Sequence, residues 1–270
     1  MGHGKLRKFA ENETFPCLLQ PSAGEVLAKG FFNLSDHPVK GHWVEKMFGS
    51  HEGEIVLELG CGKGEYTLEL ARRNPDKNYI GVDIKGARLW KGAKTAVEEG
   101  LRNVAFLRTR IEFITAFFGP SEVSEIWLTF SDPQLRASEN KRLSSAMFLE
   151  RYRHFLRKDG IIHLKTDSRF LFEYTRAVAQ VNGLPVLAET TDLYGLLQRD
   201  GGNIPSEMAV EVREVHTFYE NMFLEMGLPI TYMEFRPWKE GPYLNPRDPE
   251  DFDSALWREL EGPRRSFGHQ

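Results

Sequence analysis

The sequence predicts an α/β fold, a largely parallel sheet covered by helices on both faces and finished by a late strand. Three observations carry this. From residue 54 to 190 short apolar runs alternate with stretches of helical periodicity, the signature of strand–helix–strand units. The first such run, 54–59, leads into Gly60-Cys61-Gly62-Lys63-Gly64 and then into a helix. A second apolar run, 78–83, ends on a carboxylate, Asp83, where a doubly wound fold places the acid that grips ribose hydroxyls.

Taken in order, residues 1–50 form an N-terminal extension of mixed signal, with turns at Pro21-Ser22 and His37-Pro38. Strands are predicted at 54–59, 78–83, 104–107, 125–130, 160–165 and 185–190. Between them, spaced apolar residues predict helices near 64–73, 86–99, 111–118, 144–157 and 169–181. A further helix is read at 210–226 and a closing strand at 229–235, so the main domain spans 51–235. Residues 236–270, rich in Pro, Gly and charge, read as an exposed charged tail with one short helix near 252–260. There is no internal repeat.

A chain of 270 residues, 41% of them hydrophobic, can bury a full core. No apolar run approaches the roughly 18 residues of a membrane helix, and the N-terminus lacks the apolar stretch of a signal peptide. The expectation is a cytoplasmic protein with no membrane partner. Cys17 and Cys61 are too few for a disulfide framework, and the eight histidines are scattered, so no metal site is expected. Oligomeric state, monomer or homodimer, is left open.

The net charge of −4 argues weakly against nucleic acid, but a polyanion needs a positive face and not a positive protein. Arg136, Lys141, Arg142, Arg151, Arg153, Arg157 and Lys158 crowd one stretch; Lys85, Arg88, Lys91 and Lys94 share much of one helical face; Lys5, Arg7 and Lys8 make a basic arm. Solvated helix faces are the plainer reading of any one cluster.

Gly60, Gly62 and Gly64 remove Cβ atoms where the chain turns sharply and let backbone N–H groups approach a ligand, with a helix N-terminus facing the loop. A dinucleotide fold wants Gly-x-Gly-x-x-Gly, and here Glu65 stands in the last place. Glu58-x-Gly-x-Gly-x-Gly64 instead resembles the first motif of Rossmann-like methyltransferases that use S-adenosylmethionine. A tight turn without a ligand is the bland alternative.

Ligand crevices of open parallel sheets lie outside the carboxyl ends of the strands. Two aspartates stand at such ends: Asp132 in Thr129-Phe-Ser-Asp-Pro-Gln-Leu-Arg136 and Asp167 in Lys165-Thr-Asp-Ser168. The proline after Asp132 stiffens its loop. Asp167 has a competing reading as the cap of the following helix.

The glycine loop, 78–88, 126–136, 164–167 and Thr217-Phe-Tyr-Glu220, in that order, resemble the bacterial tRNA (guanine-N7-)-methyltransferase family. Lys5-Leu-Arg-Lys-Phe-Ala10 resembles the start of one branch of it. The resemblance implies a Rossmann-like fold with an antiparallel closing strand, S-adenosylmethionine as methyl donor, and tRNA as partner, methylated at N7 of guanine 46 in the variable loop. Carried over, the donor is held by Glu58, Gly60, Gly62, Gly64, Asp83 and Asp132, with Arg110 at the edge of the adenine pocket where the family commonly has aspartate. Glu112 is a possible substitute for that contact. Substrate falls to Arg136, Asp167 and the segment Thr217, Tyr219 and Glu220, with Lys141 and Arg142 on phosphates. Asp132 is the catalytic residue of this reading. This chain departs from the family at Gln134, in place of tryptophan, at Arg110, at Arg136 in place of lysine, and in its tail after 236. The rival readings are a methyltransferase for another RNA or a small molecule, and an inactive RNA-binding relative.

Overall fold

The computed structural model describes residues 3–31, 33–195 and 212–262. Among them, eight strands form one sheet: β1 (Leu18–Leu19), β2 (Ile55–Leu59), β3 (Asn78–Asp83), β4 (Val104–Arg108), β5 (Val123–Thr129), β6 (Leu156–Thr166), β7 (Val186–Thr190) and β8 (Thr231–Phe235). Their spatial order is β1-β4-β3-β2-β5-β6-β8-β7. The pairs from β1 to β6 are parallel, and β8 lies antiparallel between β6 and β7. The predicted class, with its closing antiparallel strand, is the one found.

The helices are α1 (His3–Asn12), α2 (Ala23–Val26), α3 (Trp43–Met47), α4 (Glu65–Arg73), α5 (Gly86–Glu99), α6 (Ala146–Arg153), α7 (Arg169–Val181), α8 (Phe218–Glu225) and α9 (Ser254–Glu261). Because side chains alternate along a strand, β2 feeds two cores. Ile55, Leu57 and Leu59 join Trp43, Ile126, Leu149 and Phe170 on one face, while Val56 joins Tyr66, Leu89, Phe106 and Trp127 on the other. Every residue of β2 and β3 is buried, as the central strands of a doubly covered sheet must be. Glu58, on the same side of β2 as Val56, therefore brings an acid into the second core, between α4 and β5.

Four expectations are corrected. Residues 111–118 form a 3-10 turn, Ile111–Ala116, instead of an α-helix. The helix expected at 144–157 is shorter, and β6 begins at Leu156, four residues ahead of the expected strand, because Leu156 pairs with Val123. The polar Arg157-Lys158-Asp159 run obscured this; it lies where the strand faces solvent. The helix expected at 210–226 breaks at 215–217 and restarts as α8, capped by Thr217 in a reciprocal capping box with Glu220; residues 210–211 lie outside the described residues.

The tail is the largest correction. From 236 to 262 it lies against the domain and is not an exposed extension. Phe252 sets its ring edge-on against Phe170 and Tyr174, 5.2 and 5.6 Å between centroids, and Tyr243 is buried. Asn182 accepts from Leu244 N at 2.8 Å and donates to its carbonyl at 2.7 Å. Glu261 accepts from Phe170 N (2.9 Å) and Ser168 Oγ (2.5 Å), helping to satisfy the N-terminus of α7. A few aromatics spaced among charged residues carry no periodic signal, yet each buries enough apolar surface to hold such a segment. At the other end, α1 packs on α5, where Asn12 donates to Gly86 O at 3.0 Å, and β1 extends the sheet.

Candidate active site

The crevice follows from strand order. From β2 the chain winds outward through β3 and β4, then returns to place β5 on the other side of β2, so the loops after β2 and β5 diverge. Between them lies a cleft of about 520 Å³, open mouth included, bounded by Glu58, the loop 60–63, Arg88, Thr129-Phe130, Thr217 and Tyr219.

Gly60, Gly62 and Gly64 have φ of 81°, 59° and 74°, the left-handed region. They are not equivalent. A Cβ on Gly64 would stand 2.5 Å from Phe106 Cε1, so that glycine also lets α4 close on the sheet; a Cβ on Gly60 or Gly62 would meet nothing within 4 Å. Asp83 fixes the loop from below. Its Oδ2 accepts from Gly62 N at 3.1 Å and its Oδ1 from Lys85 N at 2.7 Å, which leaves each oxygen a further lone pair.

Glu58 is buried at the end of β2 and accepts from Thr67 N (2.9 Å), from Thr67 Oγ1 and from Thr129 Oγ1 (2.5 Å). Loss of solvation pushes its carboxyl up to about 7, against the hydrogen bonds from Thr129 and Thr67, which favour the ionised form. It thus ties β2, α4 and β5 together at the wall of the cleft.

The loop after β5 is bent in two places where residues other than glycine adopt positive φ, Phe130 at 48° and Gln134 at 53°. Such backbone is costly and persists where surrounding structure enforces it. Phe130 N donates to Lys165 O at 2.8 Å, anchoring the first bend; Asp132 Oδ1 accepts from Gln134 N at 2.9 Å, an Asx turn that rigidifies the second. Asp132 is exposed, two residues beyond the cleft-lining Phe130.

The third wall is the start of α8. Thr217 Oγ1 accepts from Glu220 N at 3.1 Å, and Glu65 Oε2 accepts from Phe218 N at 2.8 Å, linking this wall to the helix after the glycine loop. Beneath it lies a fully buried ion pair, Lys165 Nζ to Glu220 Oε1 at 2.6 Å. Lys165 also donates to the carbonyls of Val212 (2.6 Å) and Val215 (2.9 Å), so all three of its protons are used. Tyr194 OH donates to Glu220 at 2.6 Å and Thr217 N to its other oxygen at 3.3 Å.

Of the expected site residues, Glu58, Gly60, Gly62, Thr217 and Tyr219 meet in one cleft, with Gly64 and Asp83 directly behind it. Two expectations are corrected. Glu220 is fully buried and engaged by Lys165, Tyr194 and Thr217, so it holds the wall and does not present a carboxylate to a base. Arg142 is only 4% exposed: Nε donates to Pro133 O at 3.2 Å and the guanidinium lies over Tyr174 (4.3 Å) and Phe170 (4.8 Å), which leaves it no outer surface for phosphates. Arg110 is exposed and paired with Glu112 at 3.1 Å. Arg136 and Lys141 are exposed on the loop, and Asp167 is half-buried beyond β6, with Ser168 as the cap of α7. Sequence reasoning missed Thr67, Thr129, Phe130 and Lys165 as site builders. Only Lys165 left a signal, a cation closing the largely apolar run 160–165.

A family model described as "Putative methyltransferase" matches residues 52–231. A tRNA (guanine-N(7)-)-methyltransferase of Christiangramia forsetii is 52% identical, over 86% of this chain and 97% of its own. The protein of that name from Bacteroides fragilis is 46% identical over 98% of both chains. Among solved structures, the 16S rRNA methyltransferase KamB superposes with TM-score 0.51 at 14% identity, covering 78% of this chain and 96% of its own, a likeness of fold. With the strand order, the glycine loop and these relatives together, the chain belongs to the tRNA (guanine-N(7)-)-methyltransferase family, whose members use S-adenosylmethionine.

Proposed function

We propose that the chain transfers the methyl group of S-adenosylmethionine to N7 of a guanine in tRNA, the guanine at position 46 of the variable loop. The observation that carries this is the single cleft in which the open side of Gly60 and Gly62, the buried Glu58 and the aromatic face of Tyr219 meet. The donor site is chemically suited to its ligand. Two glycines leave room where any Cβ would intrude, and Asp83 keeps lone pairs for ribose hydroxyls while holding the loop. The donor supplies an electrophilic methyl on a sulfonium.

Guanine N7 carries an in-plane lone pair and is unprotonated at neutral pH, so no general base is required. Positive charge moves from the sulfonium to the purine and is not created. A carboxylate equally near both would accelerate little, which makes alignment the main task of the protein. Asp132, on its doubly bent loop, orients the guanine through its N1–H and N2–H edge, and Tyr219 offers a stacking face. Arg136, Lys141 and Asp167 hold the substrate around them, and Arg110 edges the adenine pocket with Glu112.

The N7 edge of a paired guanine faces a deep, narrow groove, so a loop base turned out of its stack is the accessible target. A tRNA substrate puts the protein in the cytoplasm. Residues 51–235 are the catalytic domain, flanked by 1–50 and by 236–270. Incubation of tRNA with labelled donor and mapping of the methylated base tests the reading. Label at N7 of guanine 46 is expected, and incorporation that survives replacement of that guanine overturns it.

A further inference from the structure

The cleft uses one aromatic ring at the head of α8, and a second stands beside it with no role in the fold. Phe218 is 60% exposed and Tyr219 37%; with Phe31 they are the exposed Phe, Tyr or Trp side chains among the described residues. A single exposed apolar side chain is ordinary, but two adjacent rings at the mouth of a cleft mark a contact surface.

The backbone holds Phe218 outward. Its N–H donates to Glu65 Oε2 at 2.8 Å, Thr217 caps the helix one residue before it, and Glu220, two residues on, is locked beneath the wall by Lys165. Successive helical residues point about 100° apart, so with Glu220 turned inward and Tyr219 on the cleft, Phe218 is left at the rim. Lys63, itself in the cleft lining, stands with Nζ 5.5 Å over the Phe218 ring, which ties that ring to the cleft. The Phe218 and Tyr219 rings lie 5.8 Å apart between centroids, with their planes at 75°. No single base can lie flat on both.

We propose that Phe218 is the stacking face for the nucleotide next to the methylated guanine, so that two successive bases meet two rings, the guanine beside Tyr219 and its neighbour on Phe218. The proposal rests on tRNA being the substrate. A guanine turned into the cleft leaves one face of its chain neighbour bare, and an aromatic ring placed there offsets part of the cost of unstacking. Every base has a π-face, so the contact tolerates any neighbour. Its value to the reaction is positional: a stacked neighbour fixes the backbone on one side of the guanine and restrains the rotation that aims N7 at the methyl group.

The test is a cycle of tRNA binding by the full chain. The base on one side or the other of guanine 46 is removed to leave an abasic nucleotide, and the protein carries Phe218→Ala or Phe218→Leu, the latter keeping apolar surface without an aromatic face. One of the two abasic tRNAs should bind the wild type roughly tenfold more weakly than intact tRNA. Both variants should bind intact tRNA about that weakly, and the same abasic site should cost them nothing further. The slope of log Kd against log salt should not change, because stacking releases no counterions. Affinity for S-adenosylmethionine and the melting temperature should hold, and Leu256→Ala, at an exposed position of α9, should behave as the wild type. An abasic penalty that is absent in the wild type, or equal in the wild type and both variants, overturns the stacking face and leaves the tRNA reading intact. Failure of the wild type to bind tRNA overturns the reading itself.

Discussion

The three loop glycines do different work, and substitution separates it. Alanine at Gly64 meets both a left-handed backbone and the Phe106 ring, so it should cost stability by about 2 to 4 kcal/mol, measured by urea unfolding. Gly62→Ala meets only the backbone penalty, about 1 to 2 kcal/mol, but places a methyl in the cleft; calorimetry should show donor affinity reduced far more than stability. Glu58 makes the free protein's stability pH-dependent. Its folded-state carboxyl is raised from 4.5 to about 7, so its contribution is complete below about pH 4.5 and lost as pH rises through about 7. Unfolding free energy should fall by about 3 kcal/mol across that window from this group alone. In Glu58→Gln that part of the slope should vanish; an unchanged slope would assign it elsewhere.

Among the elements, α8 depends on a residue of another strand. Lys165, in β6, holds Glu220 and the carbonyls of Val212 and Val215, and so fixes the wall that carries Thr217 and Tyr219. Lys165→Met leaves Glu220 buried without its cation, a loss of about 3 to 5 kcal/mol. It should also raise KM for tRNA more than it alters donor affinity, read from initial rates and calorimetry. The capping box at Thr217 and Glu220 was legible as Thr-x-x-Glu, but that spacing is shared by a helix cap and a substrate motif. Only the ion pair beneath it tells which role Glu220 has. Arg142 teaches the same lesson: beside Lys141 in sequence it has equal claim to solvent, and the rings of Phe170 and Tyr174, far along the chain, decide otherwise.

At the scale of the whole molecule, the segment after β8 is a strap across α7 and the loop after β5. Phe252→Ala should cost about 3 kcal/mol by the loss of a packed aromatic, measured as a shift in urea midpoint. Asn245→Ala removes its bonds to Glu139 and Asn140 and should loosen the loop that carries Asp132, lowering turnover on tRNA in initial-rate assays with little change in donor affinity by calorimetry.

By itself the sequence determined the α/β class, the alternation of strands and helices along the central part of the chain, the glycine loop with Glu58 and Asp83, and the donor class. These rest on local pattern, because periodicity and positive-φ glycines are properties of a few consecutive residues. The fate of Arg142, Glu220 and residues 236–262 was decided only in three dimensions. Burial of a charge depends on partners distant in sequence, Lys165 for Glu220 and Tyr174 for Arg142, and no local pattern encodes that meeting.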